Sequence, residues 1–314
     1  MMEKKFPTYD QQIEKLQKEK QLTISDVPAA IHMLEHISYY SLIGGYKDLF
    51  KHKPSGKYLH GVTFEEIVAF YYFDEGLRNL FLKYILQVER HLKSLISYHF
   101  CEKFGENQTE YLNPANFNSA KKNQRAVGRL IHSMQNCISM PSHYNYITHY
   151  SRHYNNVPLW VAMNAVTFGQ LSAFYQYMPN EVQVKVSKYF PGYTEKQLHQ
   201  FITIIAKCRN VCAHGERLYD FRTYDTIPDT LLHRKLSIPL KKGSYMLGKH
   251  DLFAVVLSLK YLISNDDFKD FKRRLSKLIK QVLKQCPHIT RTQLLKEMGF
   301  PENWEKINRY KLFM

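Results

Sequence analysis

Between Thr63 and Phe104 the chain contains no proline and a single glycine, Gly76. So long a run without helix breakers is far beyond the length of a strand, and it predicts one long helix or two in near-continuity. Its start is marked. In Thr63-Phe64-Glu65-Glu66 the Thr and the second Glu have capping-box spacing, in which the Thr side chain and the Glu side chain each satisfy the other residue's backbone N–H.

The rest of the chain reads the same way. Residues 9–22 form a short charged amphipathic helix. Ser25-Asp26 offers an N-cap, and Pro28 sits in the first turn of a helix reaching about Tyr39. Gly44-Gly45 breaks the chain, and 51–61 is a polar loop. A basic helix is expected over 120–137, another from Pro158 over 159–178, and a short one over 180–189. Thr194-Glu195-Lys196-Gln197 is a second capping box. Residues 221–248 hold Pro228, Pro239, Gly243 and Gly248 and predict irregular structure, followed by helices over 250–263 and 266–285 and a short tail with Trp304. Alternating strand patterns, internal repeats and flexible linkers are missing. The expectation is an all-α fold in one compact helical unit over 1–314. N-terminal helices occupy 1–60, a central bundle 61–220, and an irregular segment with basic helices 221–314.

Charge narrows the class of partner. Lys and Arg total 44 against 28 Asp and Glu, a formal charge of +16. Self-repulsion of that size costs stability, which points to a polyanionic partner; composition alone does not separate RNA from DNA or a membrane surface. The 44% hydrophobic content argues against disorder. The 23 Tyr and 19 Phe, against 2 Trp, suit surfaces on which bases stack. Five scattered cysteines argue against a secreted disulfide framework. Residues 1–7 lack an apolar signal core, and the apolar stretch 157–168 is too short to span a bilayer and contains Asn164. These features predict a cytoplasmic protein without a membrane partner.

The chemistry concentrates after the second capping box. On a helical wheel over 194–217, Leu198, Phe201, Ile202, Ile205, Cys208 and Cys212 fall on one side. Thr203, Lys207, Asn210, His214 and Arg217 fall on the other, as a polar stripe. Arg209 lies near the apolar side, about 140° from His214 on a regular helix. Either the helix bends near Gly215, or a second copy of the same helix lies alongside, placing Arg209 in a homodimer seam. Histidine titrates near neutrality and serves acid–base work on a ribose 2′-OH. Arginine's planar fork holds phosphate oxygens and stabilises developing charge. Asn210, one turn before His214, is placed to orient the imidazole. Together they suit RNA cleavage with the 2′-OH as nucleophile, which needs no metal and no cofactor. On spacing alone the plainer alternative leads: a buried arginine bonded to helix-end carbonyls, and a polar helix terminus. Fifteen histidines in a basic chain make Arg–His spacings common, and Arg125 and His132 are another.

Other groupings carry less. Cys208, Cys212 and His214 lack converging zinc geometry, and the cysteines read as core. Glu65, Glu66, Asp74 and Glu89 show no metal-nuclease spacing; Glu89 beside Arg90 suggests an internal ion pair. In 266–285 an apolar stripe is flanked by Lys269, Lys272, Arg273, Arg274, Lys277, Lys280 and Lys284, with Asp266, Asp267 and Asp270 near its start. Lys269, Lys272, Arg273 and Lys277, with Lys207 and Arg217, are candidate RNA-phosphate contacts, and Arg125, Arg129, Lys241 and Lys242 are further ones. A solvated basic face is the alternative. The mixture of His143, His149, Arg152 and His153 with Tyr144, Tyr146, Tyr150 and Tyr154 fits single-stranded RNA or an ordinary polar loop equally.

Arg209-Asn210-Val211-Cys212-Ala213-His214, followed by Arg217-Leu218-Tyr219, closely resembles the signature of the Abi-like (AbiD/AbiF) phage abortive-infection proteins. The resemblance covers most of the chain, including 10–16, 39–46, Phe73-Asp74 with Leu77-Arg78, Glu89-Arg90, 158–160 and Phe168-Gly169. It departs at Ser41, where the family often has Arg, and at Gly215, where a second His is common. The family is similar to the HEPN superfamily, whose nucleases use Arg, four to six residues, then His, and which is linked to the RNA-cleaving modules of type VI CRISPR effectors. The resemblance implies a HEPN-like bundle with additional peripheral helices and a dimeric, metal-independent ribonuclease toxin. Arg209, Asn210 and His214 would be its catalytic residues. A non-catalytic protein of the same fold holding a structured small RNA is the second reading, and an adaptor that docks proteins or membrane is the third.

Overall fold

The run without helix breakers forms one continuous helix, Phe64–Phe104, of 41 residues. At 1.5 Å per residue it is about 60 Å long. Thr63 accepts the Glu66 N–H while the Glu66 side chain accepts the Thr63 N–H, as the capping-box spacing predicts. Gly105, at φ 93°, ends it. The computed structural model describes residues 6–118, 120–190 and 192–310. Residues 1–5, five of the seven in which no signal core is legible, lie outside them.

Gly76 is a point of close approach rather than a break. A Cβ there would sit 3.1 Å from a Leu278 methyl of the helix Asn265–Gln285, which packs along the long helix. The motif helix Glu195–Ala213, the helix Asn180–Ser187 and the short helix Leu159–Ala162 cover other parts of the long helix. The helix Leu252–Leu262 is apolar nearly all round, and each of its eleven residues is buried. It packs on the motif helix and on the long helix. Buried apolar side chains from all of these join in one contiguous cluster. The fold is all-α, apart from a two-residue hairpin pairing Leu240–Lys241 with Ser244–Tyr245.

The helix expected over 159–178 is two helices, Leu159–Ala162 and Phe168–Tyr177. Thr167 restarts the second with a capping box to Gln170, satisfying backbone donors that a continuous helix would have paired. The aromatic-basic stretch near 150 is the helix Asn145–Tyr154 rather than a loop. Residues 221–248 are mostly irregular, with one short helix, Leu231–Lys235. Among the described residues, no helix is long and apolar enough to cross a membrane.

Candidate functional site

The motif helix starts at the Thr194–Gln197 capping box and buries Leu198, Phe201, Ile202, Ile205, Cys208 and Cys212. Both cysteines therefore belong to the core, and burial pushes the Cys208 thiol well up. At the other end the helix stops at Ala213, with His214 as its C-cap. Gly215 takes the left-handed φ of 68°. Glu216 N–H reaches back to Val211 O at 3.1 Å and Gly215 N–H to Cys212 O at 3.4 Å, the paired bonds of a Schellman ending.

This ending corrects the wheel drawn through Arg217. Arg217 lies beyond the helix, where its guanidinium donates to Gly45 O at 2.8 Å and faces Asp220 at 3.3 Å. Lys207 remains on the exposed face but is paired with Asp225, holding that carboxyl below the usual carboxylate range. Both cations tie down neighbouring chain. The helix does not bend near Gly215 to bring Arg209 and His214 together; it ends there.

A buried carboxylate fixes the segment after the motif. Asp74 of the long helix is fully buried and accepts the N–H groups of Leu218 and Tyr219, at 3.1 and 2.7 Å. It also accepts the Tyr46 hydroxyl at 2.7 Å and Arg78 at 2.6 Å. Arg78 donates onward to Glu216 O at 3.3 Å. Burial pushes the Asp74 carboxyl up, and these donors pull against it. Three parts of the chain thus meet at one buried group: the 39–46 block, the long helix and the turn that carries His214 forward.

Around the end of the motif helix, Asn210, Ala213 and His214 are exposed and Arg209 is half-buried. On a helix they occur in angular order Arg209, Ala213, Asn210, His214, so Arg209 and His214 stand at the two edges of one accessible arc with the small Ala213 inside it. The Arg209 Nε lies 3.8 Å from Glu89 Oε2, and neither of these buried atoms has a hydrogen-bond partner among the described residues. Glu89 pairs through Oε1 with Lys93 at 2.9 Å, and Lys93 donates to Val166 O at 2.7 Å. Arg90 is exposed, so the internal partner of Glu89 is Lys93, four residues on, and not its chain neighbour. Lys93 is the partner that the sequence analysis leaves out; its spacing of four from Glu89 on a helix was the available signal.

A polar groove of about 810 Å³ borders this end of the motif helix, lined among others by His36, Tyr40, Val211, Glu216, Arg217 and Arg222. A larger cleft of about 980 Å³, lined by His91, Lys260, Tyr261 and Arg309, contains no motif residue. The basic helix is partly neutralised by its own acids. Lys269 pairs with Asp266, and Asp270 takes both Arg273 and Arg274. Lys277 is exposed and Lys272 half-buried. Lys241 and Lys242 lie on the exposed hairpin.

The family model described as Abi-like protein matches residues 32–220, more than half of the chain. No curated protein and no solved structure matches.

Proposed function

The chain belongs to the Abi-like protein family, and from that membership we propose that it is a HEPN-type, metal-independent endoribonuclease acting in abortive-infection defence against phage. The observation that carries this reading is the accessible arc on which Arg209 and His214 flank Ala213, followed by a turn that the buried Asp74 fixes.

In the proposed reaction His214 removes the proton from a ribose 2′-OH, whose oxygen attacks the adjacent phosphorus. The bond from phosphorus to the 5′-oxygen breaks, and the imidazolium formed on His214 returns its proton to that oxygen. The products are a 2′,3′-cyclic phosphate and a 5′-hydroxyl. Arg209 stabilises charge on the non-bridging oxygens, and Asn210 orients the imidazole. The arc is also where a second copy would lie in a two-fold homodimer, bringing the Arg209 of one copy towards the His214 of the other.

The test is cleavage of a defined single-stranded RNA by the purified protein in EDTA. Cutting should persist in EDTA, stop when the scissile nucleotide is 2′-deoxy, and be lost in His214→Ala. Cleavage at the wild-type rate by a folded His214→Ala protein would overturn the assignment. Light scattering at working concentration tests the dimer, which a monomer mass would exclude.

A further inference from the structure

Residues 111–180 contain no Asp and no Glu, so all 28 acids lie elsewhere. The same stretch holds Lys121, Lys122, Arg125, Arg129 and Arg152, with His132, His143, His149 and His153. All nine side chains are exposed. Among the described residues, none of the five Lys and Arg has a carboxylate partner. The helix Asn265–Gln285 has more cations, but Asp266 and Asp270 already occupy three of them.

We propose that the acid-free face of the helices Gln124–Ile138 and Asn145–Tyr154 is the main docking surface for single-stranded RNA, ahead of the C-terminal basic helix. The identity of the polyanion rests on the ribonuclease reading above. The first helix buries Val127, Leu130, Ile131 and Met134 and turns Arg125, Arg129, His132 and Asn136 outward, in steps of four, three and four. That spacing makes one continuous stripe. The second helix buries Ile147 and presents His149, Arg152 and His153. Both pack on Leu159–Ala162, whose Trp160 is 47% exposed.

The aromatic content selects the kind of nucleic acid. Tyr144 and Tyr146 stack with ring centroids 5.3 Å apart, and Tyr144 and Tyr154 are 45% and 64% exposed. Exposed tyrosine and tryptophan rings beside unpaired cations offer faces to unstacked bases and charge to the backbone, the combination that holds single strands. A duplex keeps its bases stacked and would leave these rings unused. Unpaired like charges on one face repel each other, and phosphates remove that cost while releasing counterions.

The experiment uses full-length protein carrying His214→Ala, so that RNA is bound and not cut, with a fluorescein-labelled single-stranded RNA of mixed sequence. Anisotropy is followed across a salt series. Replacing Arg125, Arg129 and Arg152 by Gln should weaken binding by about tenfold or more and lower the slope of log affinity against log salt by about 2, three phosphate contacts at roughly 0.7 each. The charge-keeping Lys variant should retain the slope. Replacing Lys272, Arg273 and Lys277 by Gln should change affinity by less. The proposal is overturned if the first triple variant, with an unchanged melting temperature, binds as wild type does, or if the second loses more. It is also overturned if a duplex of the same sequence, or anionic phosphatidylserine vesicles, compete better than the single strand. If the surface binds RNA but the protein with His214 intact does not cleave it, the docking proposal stands and the ribonuclease reading falls.

Discussion

Asp74 accepts the backbone N–H of Tyr219 at 2.7 Å, joining the first third of the longest helix to the turn that follows the motif. Removing that carboxylate strands a buried arginine and two backbone donors together. Asp74→Ala should therefore destabilise the fold by about 3–5 kcal/mol, as breaking a buried ion pair does. Asp74→Asn should fall between it and wild type. Urea denaturation measures both, and a loss below about 1 kcal/mol for Asp74→Ala would mean that the turn is held by other contacts.

His214 caps its helix through backbone atoms, and its side chain is exposed. His214→Ala should leave the melting temperature nearly unchanged while lowering the cleavage rate by about 10²–10⁴-fold, the usual worth of a positioned acid–base group. Thermal melting and single-turnover cleavage, run on the same preparation, separate the two effects.

Arg209 and Glu89 should be energetically coupled, since the two buried atoms face each other at 3.8 Å. A double-mutant cycle with Arg209→Ala and Glu89→Gln should give a coupling of about 0.5–3 kcal/mol in unfolding free energy. A coupling of zero would show that Lys93 alone holds the carboxylate. Cleavage should fall in Arg209→Ala and also in Arg209→Lys, because an ammonium does not reproduce the planar fork.

His233 gives the fold an acid-sensitive point. It is fully buried, its Nδ1 accepts the Thr230 N–H at 3.0 Å, and its Nε2 donates to Gly248 O at 2.9 Å. Burial holds its pKa below the ordinary histidine value. The folded state then binds fewer protons than the unfolded one, so this stability is present above about pH 6.5 and is lost as pH falls through the lower, folded value. Melting temperature should drop between pH 7.5 and 5. His91 and His199 are shifted downward too, so the slope should be smaller, not absent, in His233→Gln. An identical slope in the two proteins would remove His233 as a contributor.

What was legible in the sequence followed local rules. The capping boxes at Thr63 and Thr194 placed two helix starts, and the spacing of Leu198, Phe201, Ile202, Ile205 and Cys208 identified the buried side of the motif helix. The end of that helix was misread, because a wheel carried through Arg217 assumes a regularity that Gly215 stops. Arg209 and His214 were singled out, but their surroundings were not. Glu89 meets Arg209 only through tertiary packing, and Asp74 reaches Leu218 and Tyr219 across 144 and 145 positions of chain. The break at 163–167 was within reach, since Thr167 and Gln170 repeat the spacing already used at Thr194 and Gln197.

The buried helix Leu252–Leu262 has a consequence for the order of synthesis. It closes over the motif helix from a position later in the chain. Translation delivers the amino end first, at about 5–20 residues per second. Arg209 and His214 therefore leave the ribosome before the element that completes the packing behind them. For a chain proposed to cut RNA, the nascent form is incomplete while it is still tethered to its own messenger, and the core closes only once residues 252–262 have emerged.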